Sequence, residues 1–320
     1  MLKRLPIRYK LNFFYWKKHN LAQLHKKSKI IETLKGPIEY SLSGRGEEVI
    51  AAVHGAPGNF HQCDYIFYGL SKSKYKFLSW SRPGYLGTPL LNNRSVDDQT
   101  EVLAALLDAL NIKKVIISAF SCGAPFGINF VLKYPDRSNA LILDSPVAHR
   151  MKITADDIFM SITDSVFLTD FGQWFIGLFY SSNLRIPLKM LISRLSTLSK
   201  KEIDKTTNHL VQDRYKADSI YSSILQATQP FSFNRKGYRN DIKVFKHLNE
   251  LPFDKIKIPT LIIHGTKDSD VPIEHGKYLK KRILNSELLL IENATHLTLL
   301  TDEEKILKRK KIFLENVFQN

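Results

Sequence analysis

A series of short apolar runs, each stopped by a turn rich in small residues, constrains this chain more than any other feature. They are Val49-Ile50-Ala51-Ala52-Val53, Tyr75–Trp80, Val115–Ala119, Ala140–Leu143, Thr260–His264 and Glu287–Ile291. An unbroken apolar run suits a strand buried on both faces, because a half-exposed strand alternates apolar with polar. Between the runs, apolar residues recur at helical spacing. Ser95-Val96-Asp97-Asp98 is a capping box opening a helix that continues to Leu110 and closes at Asn111. Cys122–Lys133 reads as a helix stopped by Pro135, and 273–284 and 302–318 read as two more. Lys29–Leu34 and Pro37–Leu42, separated by Gly36, read as a hairpin. Strands alternating with helices predict an α/β fold built on an open, mostly parallel sheet flanked by helices.

The alternation breaks once. From about Val147 to Leu251 there is no continuous apolar strand, only helical spacing and polar joints. Its clearest piece is the stripe Phe167, Phe171, Trp174, Phe175 and Leu178, expected to be a packing face of an all-helical insertion or part of a pocket wall. The domain reading is therefore a leader over 1–29, a core over 30–146 and 252–320, and a helical cap over 147–251.

The leader carries the charge anomaly. Residues 1–29 hold nine Lys or Arg and no acid, more than half of the formal net charge of +16. Its aromatic cluster, Phe13-Phe14-Tyr15-Trp16, fits either an amphipathic helix docked on the body or peripheral contact with an anionic membrane surface. No run approaches the roughly 18 apolar residues of a membrane span, and no recognisable nucleic-acid-binding module is present. Two cysteines, Cys63 and Cys122, form neither a disulfide framework nor a metal-type spacing, which fits a reducing, cytoplasmic setting.

The chemistry gathers at the strand ends. In Ala119-Phe120-Ser121-Cys122-Gly123, small residues lie two before and two after Ser121, as a tight strand-to-helix turn requires. Cys122 would need Phe120 in that crowded place, and Ser118 would need Ile116, so Ser121 is the nucleophile candidate. The bland alternative for such a serine is a helix N-cap. A serine hydroxyl needs a base and a group to orient that base. His296, in the polar loop after the last strand, is the base candidate among ten histidines. His54 and His264 end strands in His-Gly turns and are read as setting backbone geometry. Asp268, three residues past Gly265, is the acid candidate, with Asp144 as its best substitute. The turn His54-Gly55-Ala56-Pro57-Gly58 offers the Ala56 amide, which with the Cys122 amide would form an oxyanion hole.

Together His54-Gly-Ala-Pro-Gly, Ser81-Arg-Pro-Gly-Tyr, Ala119-Phe-Ser-Cys-Gly, Gly265-Thr-Lys-Asp and Asn293-Ala-Thr-His resemble the α/β-hydrolase superfamily over about residues 30–320. The resemblance implies Ser121 as nucleophile, His296 as base, Asp268 as acid, Ala56 and Cys122 as oxyanion donors, and a helical cap. Two departures stand out: Ala119 replaces the usual first glycine of the elbow, and Ser81 stands where many relatives carry aspartate. A serine elbow also separates the chain from haloalkane dehalogenases and epoxide hydrolases, whose nucleophile is aspartate. The G-G-S-W-G elbow of proline iminopeptidases is absent.

The expected function is a cofactor-free serine hydrolase of a carboxylic ester or related small acyl compound, acting through an acyl-enzyme. Neither a metal nor nucleic acid is expected. The rival readings are a non-catalytic binding protein that keeps the fold, and a lipid esterase at a membrane surface. Oligomeric state is not readable from the sequence.

Overall fold

Apolar runs become central strands here because both sheet faces are covered. In the Val115–Phe120 strand all six residues are buried. Val115, Ile117 and Ala119 join the core on one face, while Ile116 and Phe120 join the core on the other. Burial of one such aliphatic side chain is worth about 1.5–3 kcal/mol, so a polar residue on either face would be costly.

A computed structural model describes residues 12–150 and 168–319. In chain order the first half holds α1 (Phe13–Leu24), β1 (Lys29–Thr33), β2 (Gly36–Gly44), β3 (Glu48–Val53), α2 (Cys63–Ile66), β4 (Tyr75–Trp80), α3 (Val96–Ala109), β5 (Val115–Phe120), α4 (Ala124–Lys133) and β6 (Ser138–Asp144). Between β6 and the next strand lie α5 (Asp170–Ser182), α6 (Arg185–Arg194), α7 (Lys200–Gln212), α8 (Arg214–Ile220) and α9 (Arg235–Lys246). The chain ends with β7 (Thr260–Gly265), α10 (Glu274–Arg282), β8 (Ser286–Ile291) and α11 (Glu303–Gln319).

The sheet order is β1-β2-β4-β3-β5-β6-β7-β8. β2 runs antiparallel to β1 and β4, and the other pairings are parallel. Residues of α3, α4 and α10 cover one face; residues of α2 and α11 cover the other. The predicted capping box is present: Asp98 N–H donates to Ser95 Oγ at 3.0 Å and Ser95 N–H to Asp98 Oδ2 at 3.0 Å. The parallel strands β3, β5, β6, β7 and β8 end on one edge, where ligands of open α/β sheets bind.

The described part of the leader takes the docked alternative. Trp16 and Leu24 are buried, and the Phe13 ring lies 5.9 Å from those of both Phe171 and Trp174. Lys17 pairs with Asp170 at 2.6 Å, and His61 Nε2 donates to the Leu24 carbonyl at 3.1 Å. Phe14 stays 79% exposed, so the helix buries one face only. Among the described residues no helix is long and apolar enough to cross a membrane.

The same contacts show what the aromatic stripe packs against. Phe167 lies outside the described residues, while Phe171 and Phe175 are exposed rather than forming a core face. The stripe meets the leader helix because α5 turns a different side, Gln173 and Ile176, toward the interior cavity.

Candidate active site

β5 delivers Ser121 to the sheet edge in a strained conformation. Its φ is +53°, a left-handed value that costs a non-glycine residue about 1–3 kcal/mol unless the surroundings impose it. They do. A Cβ on Gly123 would stand 2.3 Å from the Val53 carbonyl oxygen, and one on Gly55 would stand 2.9 Å from Ser121 Cβ. The chain thus passes through a slot that no larger residue fits. Ala119 is accommodated from the neighbouring helix: a Cβ on Gly127 would meet Ala119 Cβ at 3.1 Å and Ile117 Cγ2 at 2.9 Å. The methyl added at 119 fills the space left empty at 127.

The loops after β7 and β8 bring Asp268 and His296 together. His296 Nδ1 lies 2.8 Å from Asp268 Oδ2, and Asp268 Oδ1 accepts from the N–H groups of Asp270 and Val271, both at 2.9 Å. Since a carboxylate only accepts, Nδ1 carries a proton and Nε2 is left facing the site. The sequence reading gave His264 a backbone role, and it has one more. Its Nε2 donates to the Val271 carbonyl at 2.9 Å and lies 3.4 Å from Asp268 Oδ2.

These contacts set the charges. Burial alone would push the Asp268 carboxyl up, but the facing imidazoles of His296 and His264 outweigh it and hold the group well below the usual carboxylate range. Burial would lower His296, yet Asp268, and after it Asp270 and Asp144, raise its pKa to about 9. Asp144 is no substitute for Asp268. It accepts from Thr298 Oγ1 at 2.9 Å and sits 3.8 Å from the buried Lys310 amine.

Beside the serine, Cys122 is held in its thiol form. Burial, followed by the nearby Asp241 and Asp270 carboxylates, pushes its thiol up to about 12, far from the thiolate form. In the glycine turn, His54 Nδ1 donates to the Gly55 carbonyl at 2.8 Å and Nε2 accepts from Arg82 N–H at 2.9 Å. Gly55 N–H is taken by Gln62 Oε1 at 2.7 Å and Gly58 N–H by the Gly55 carbonyl at 3.1 Å. Among the described residues, the Ala56 N–H has no recorded acceptor.

Ala56, Cys122, Asp270 and His296 line one cavity of about 290 Å³, whose further wall comes from α5, α6, the 221–229 segment and α9. Ser121, between the lining residues Phe120 and Cys122, is buried. Among the described residues no hydrogen bond joins Ser121 to His296; instead His296 Nε2 stands 3.7 Å from Asp270 Oδ2. Asp270 Oδ1 in turn lies 3.5 Å from Arg194 of α6. Among the described residues no group of three or more His, Cys, Asp or Glu side chains is arranged to hold a metal ion.

Several residues here escaped the sequence reading. Arg82, wholly buried, forks onto Asp241 of α9 (3.0 Å to Oδ1, 2.5 Å to Oδ2), and Tyr85 Oη donates to the same Oδ2 at 2.6 Å. The carboxylate absent at Ser81 is supplied by buried Glu39 of β2, which accepts from Ser81 Oγ at 2.8 Å, Gly87 N–H, Ser28 Oγ and His25 Nδ1. The Arg-Pro-Gly-Tyr turn signalled Arg82; nothing in an amphipathic helix signalled Asp241 as its partner.

A sequence profile of the alpha/beta hydrolase fold family matches residues 49–303. Uncharacterized hydrolase YcgS of Bacillus subtilis is 27% identical over 272 residues, covering 84% of this chain and 91% of that protein. Pimeloyl-[acyl-carrier protein] methyl ester esterase of Neisseria meningitidis serogroup A is 23% identical, covering 83% of this chain and 76% of that protein. Among solved structures, an alpha/beta hydrolase fold protein from Nakamurella multipartita superposes with a TM-score of 0.80 at 26% identity, covering 90% and 98% of the two chains. A meta-cleavage product hydrolase from Pseudomonas fluorescens superposes with a TM-score of 0.60 at 20% identity, covering 90% of this chain and 97% of that one.

Proposed function

The chain belongs to the alpha/beta hydrolase fold family and is a hydrolase of that class, and on that premise we propose that it hydrolyses a carboxylic ester of a small, apolar acyl group through an acyl-enzyme on Ser121. The observation that carries this reading is the 2.8 Å bond between Asp268 and His296 at the rim of the cavity that flanks Ser121.

Ser121 Oγ attacks the ester carbonyl while its proton passes to His296 Nε2. The carbonyl oxygen becomes an oxyanion, met by the Ala56 and Cys122 N–H groups, each such donor being worth about 2.7–4 kcal/mol in the transition state. The intermediate collapses, the C–O bond to the alcohol breaks, and His296 returns the proton to the leaving oxygen. Water then attacks the acyl-enzyme by the same steps in reverse roles. Throughout, Asp268 keeps the Nδ1–H tautomer in place. The insertion, 147–251, serves as the cap. Its Ile176, Leu191, Ile224 and Leu225 line the cavity and favour an apolar acyl chain. The esterase activity named for the Neisseria relative is of the same chemical kind.

A fluorophosphonate probe tests the reading: it should form an adduct that peptide mass spectrometry maps to Ser121 and that Ser121→Ala abolishes. A folded protein that neither reacts with the probe nor hydrolyses p-nitrophenyl esters of any chain length would be a binding protein on this fold instead.

A further inference from the structure

A second concavity, of about 730 Å³, lies on the opposite side of α9 from the acyl cavity, between that helix and the 84–94 loop. Its charge is one-sided. Arg94, Lys236, Arg239 and Lys243 line it, all exposed, and no carboxylate does. Among the described residues none of these four cations has an ion-pair partner, whereas exposed Lys74 and Lys133 do. The acids beside the loop are engaged: Glu39 by Ser81, Gly87, Ser28 and His25, and Asp98 by the N–H groups of Arg94 and Ser95 and by Ser95 Oγ.

The spacing shows that helix geometry sets this arrangement. Positions 236, 239, 240 and 243 repeat as i, i+3, i+4, i+7 and face the groove, while 238, 241, 242 and 245 repeat in the same way and face the acyl cavity. Like charges three and four apart on a helix destabilise it by a few tenths of a kcal/mol per pair. Here no acidic side chain offsets that cost, although acids pair with bases elsewhere on the surface. Beside the cations the groove has apolar lining: Leu86, Leu90, Leu91 and Phe233. Its size falls within the roughly 300–1,000 Å³ of small-molecule sites.

We propose that this groove binds a phosphate ester that carries an apolar arm. Two guanidinium forks and two ammonium groups, one from the loop and three from α9, match the several oxygens of a phosphate, and the leucine and phenylalanine lining accepts the arm. An unesterified inorganic anion would leave that lining unused. Binding there also bears on the hydrolase site, because α9 is tied to the core, in part by Asn240 Nδ2, which donates to the Arg94 carbonyl at 2.7 Å. Gly237 N–H donates to the Gly84 carbonyl at 2.9 Å, and Asp241 pairs with Arg82. A phosphate ester seated in the groove steadies the helix whose other side forms the acyl cavity wall.

The test reads binding without turnover, so it stands apart from whether Ser121 is the nucleophile. With the full chain at low ionic strength, coenzyme A is titrated by calorimetry, and vesicles of phosphatidylcholine with and without phosphatidic acid are assayed by co-sedimentation. The two arms separate a soluble phosphorylated carrier from a phospholipid headgroup. The expected result is saturable binding in one arm that weakens with salt and drops roughly tenfold or more in Lys236→Glu/Arg239→Glu. Inorganic pyrophosphate should bind more weakly than the ligand that has an arm. Lys236→Gln/Arg239→Gln, which removes charge without reversing it, serves if the first variant melts early. Absence of binding in both arms, or equal binding by the glutamine variant, overturns the proposal.

Discussion

Two regions meet at Ser121 and are held by different means. The elbow, residues 119–127, is fixed by exclusion: backbone oxygens and methyl groups fill every direction in which Gly123 or Gly127 might grow a side chain. The overlying insertion shares an apolar core with the sheet through residues such as Leu188 and Ile192, and adds polar links. His296 N–H donates to the Leu195 carbonyl at 3.0 Å, Thr197 N–H to the Lys267 carbonyl at 2.9 Å, and Ser269 Oγ to the Arg194 carbonyl at 3.1 Å. The buried pair Arg82–Asp241 adds a charged link between core and α9. A region held by volume fails when atoms are added; a region held by polar partners fails when one partner is removed. The first is also indifferent to pH, whereas the second contains the groups that titrate.

The contrast can be broken at several points. Asp268→Asn should have the largest effect, lowering kcat by about 10⁴-fold, because the imidazole loses its oriented tautomer and Asp144, committed to Thr298, does not replace the lost carboxylate. Steady-state kinetics on a p-nitrophenyl ester measures it, and a loss below tenfold would remove Asp268 from the role given to it.

Arg82→Met should destabilise the fold by about 3–5 kcal/mol, since it leaves Asp241 buried without its cation. Arg82→Met/Asp241→Leu should recover most of that loss in urea unfolding. If the double variant is no more stable than the single one, the link is not primarily a charge pair.

On the elbow side, Gly127→Ala should cost about 1–3 kcal/mol through overpacking. Combining it with Ala119→Gly should return part of the loss, because the two Cβ atoms would otherwise stand 3.1 Å apart. Additive effects in the same unfolding measurement would show that the residues do not share that space.

The smallest change sharpens the polar side. Asp270 faces His296 Nε2, the atom that takes the serine proton in the proposed mechanism. A general base acts in its neutral form, so a histidine pKa raised to about 9 means that kcat/KM rises with pH toward that value. Asp270→Asn removes one carboxylate that favours the charged imidazole, so the acid limb of the profile should move to lower pH and activity near neutrality should increase a few-fold. An unmoved limb would mean that Asp270 is displaced before the free enzyme titrates.

What was legible in the sequence was whatever depends on neighbours in the chain. The buried strands, the capping box at Ser95 and the small-residue test that chose Ser121 over Cys122 all rest on residues within a few positions of one another. The order Ser121, Asp268, His296 was legible because each stands directly after a recognisable strand. The stripe on α5 is a packing face, but period alone says that a face is apolar and not what covers it; here Phe171 and Trp174 meet the leader helix.

The sequence by itself determined the layered α/β architecture, the strand ends on which Ser121, Asp268 and His296 stand, and the demand for a small residue at 123. Only the tertiary structure decided that Gly127 makes room for Ala119, that Glu39 supplies the carboxylate missing at Ser81, and that Arg82 finds Asp241, 159 positions away. It also decided that Asp270 stands 3.7 Å from His296 Nε2. The physical reason is common to all of these. Backbone preferences and apolar periodicity act over a few residues and leave a pattern in the chain. Complementary volume and charge act across space, and any residue of the right size or sign can supply them from any point in the sequence.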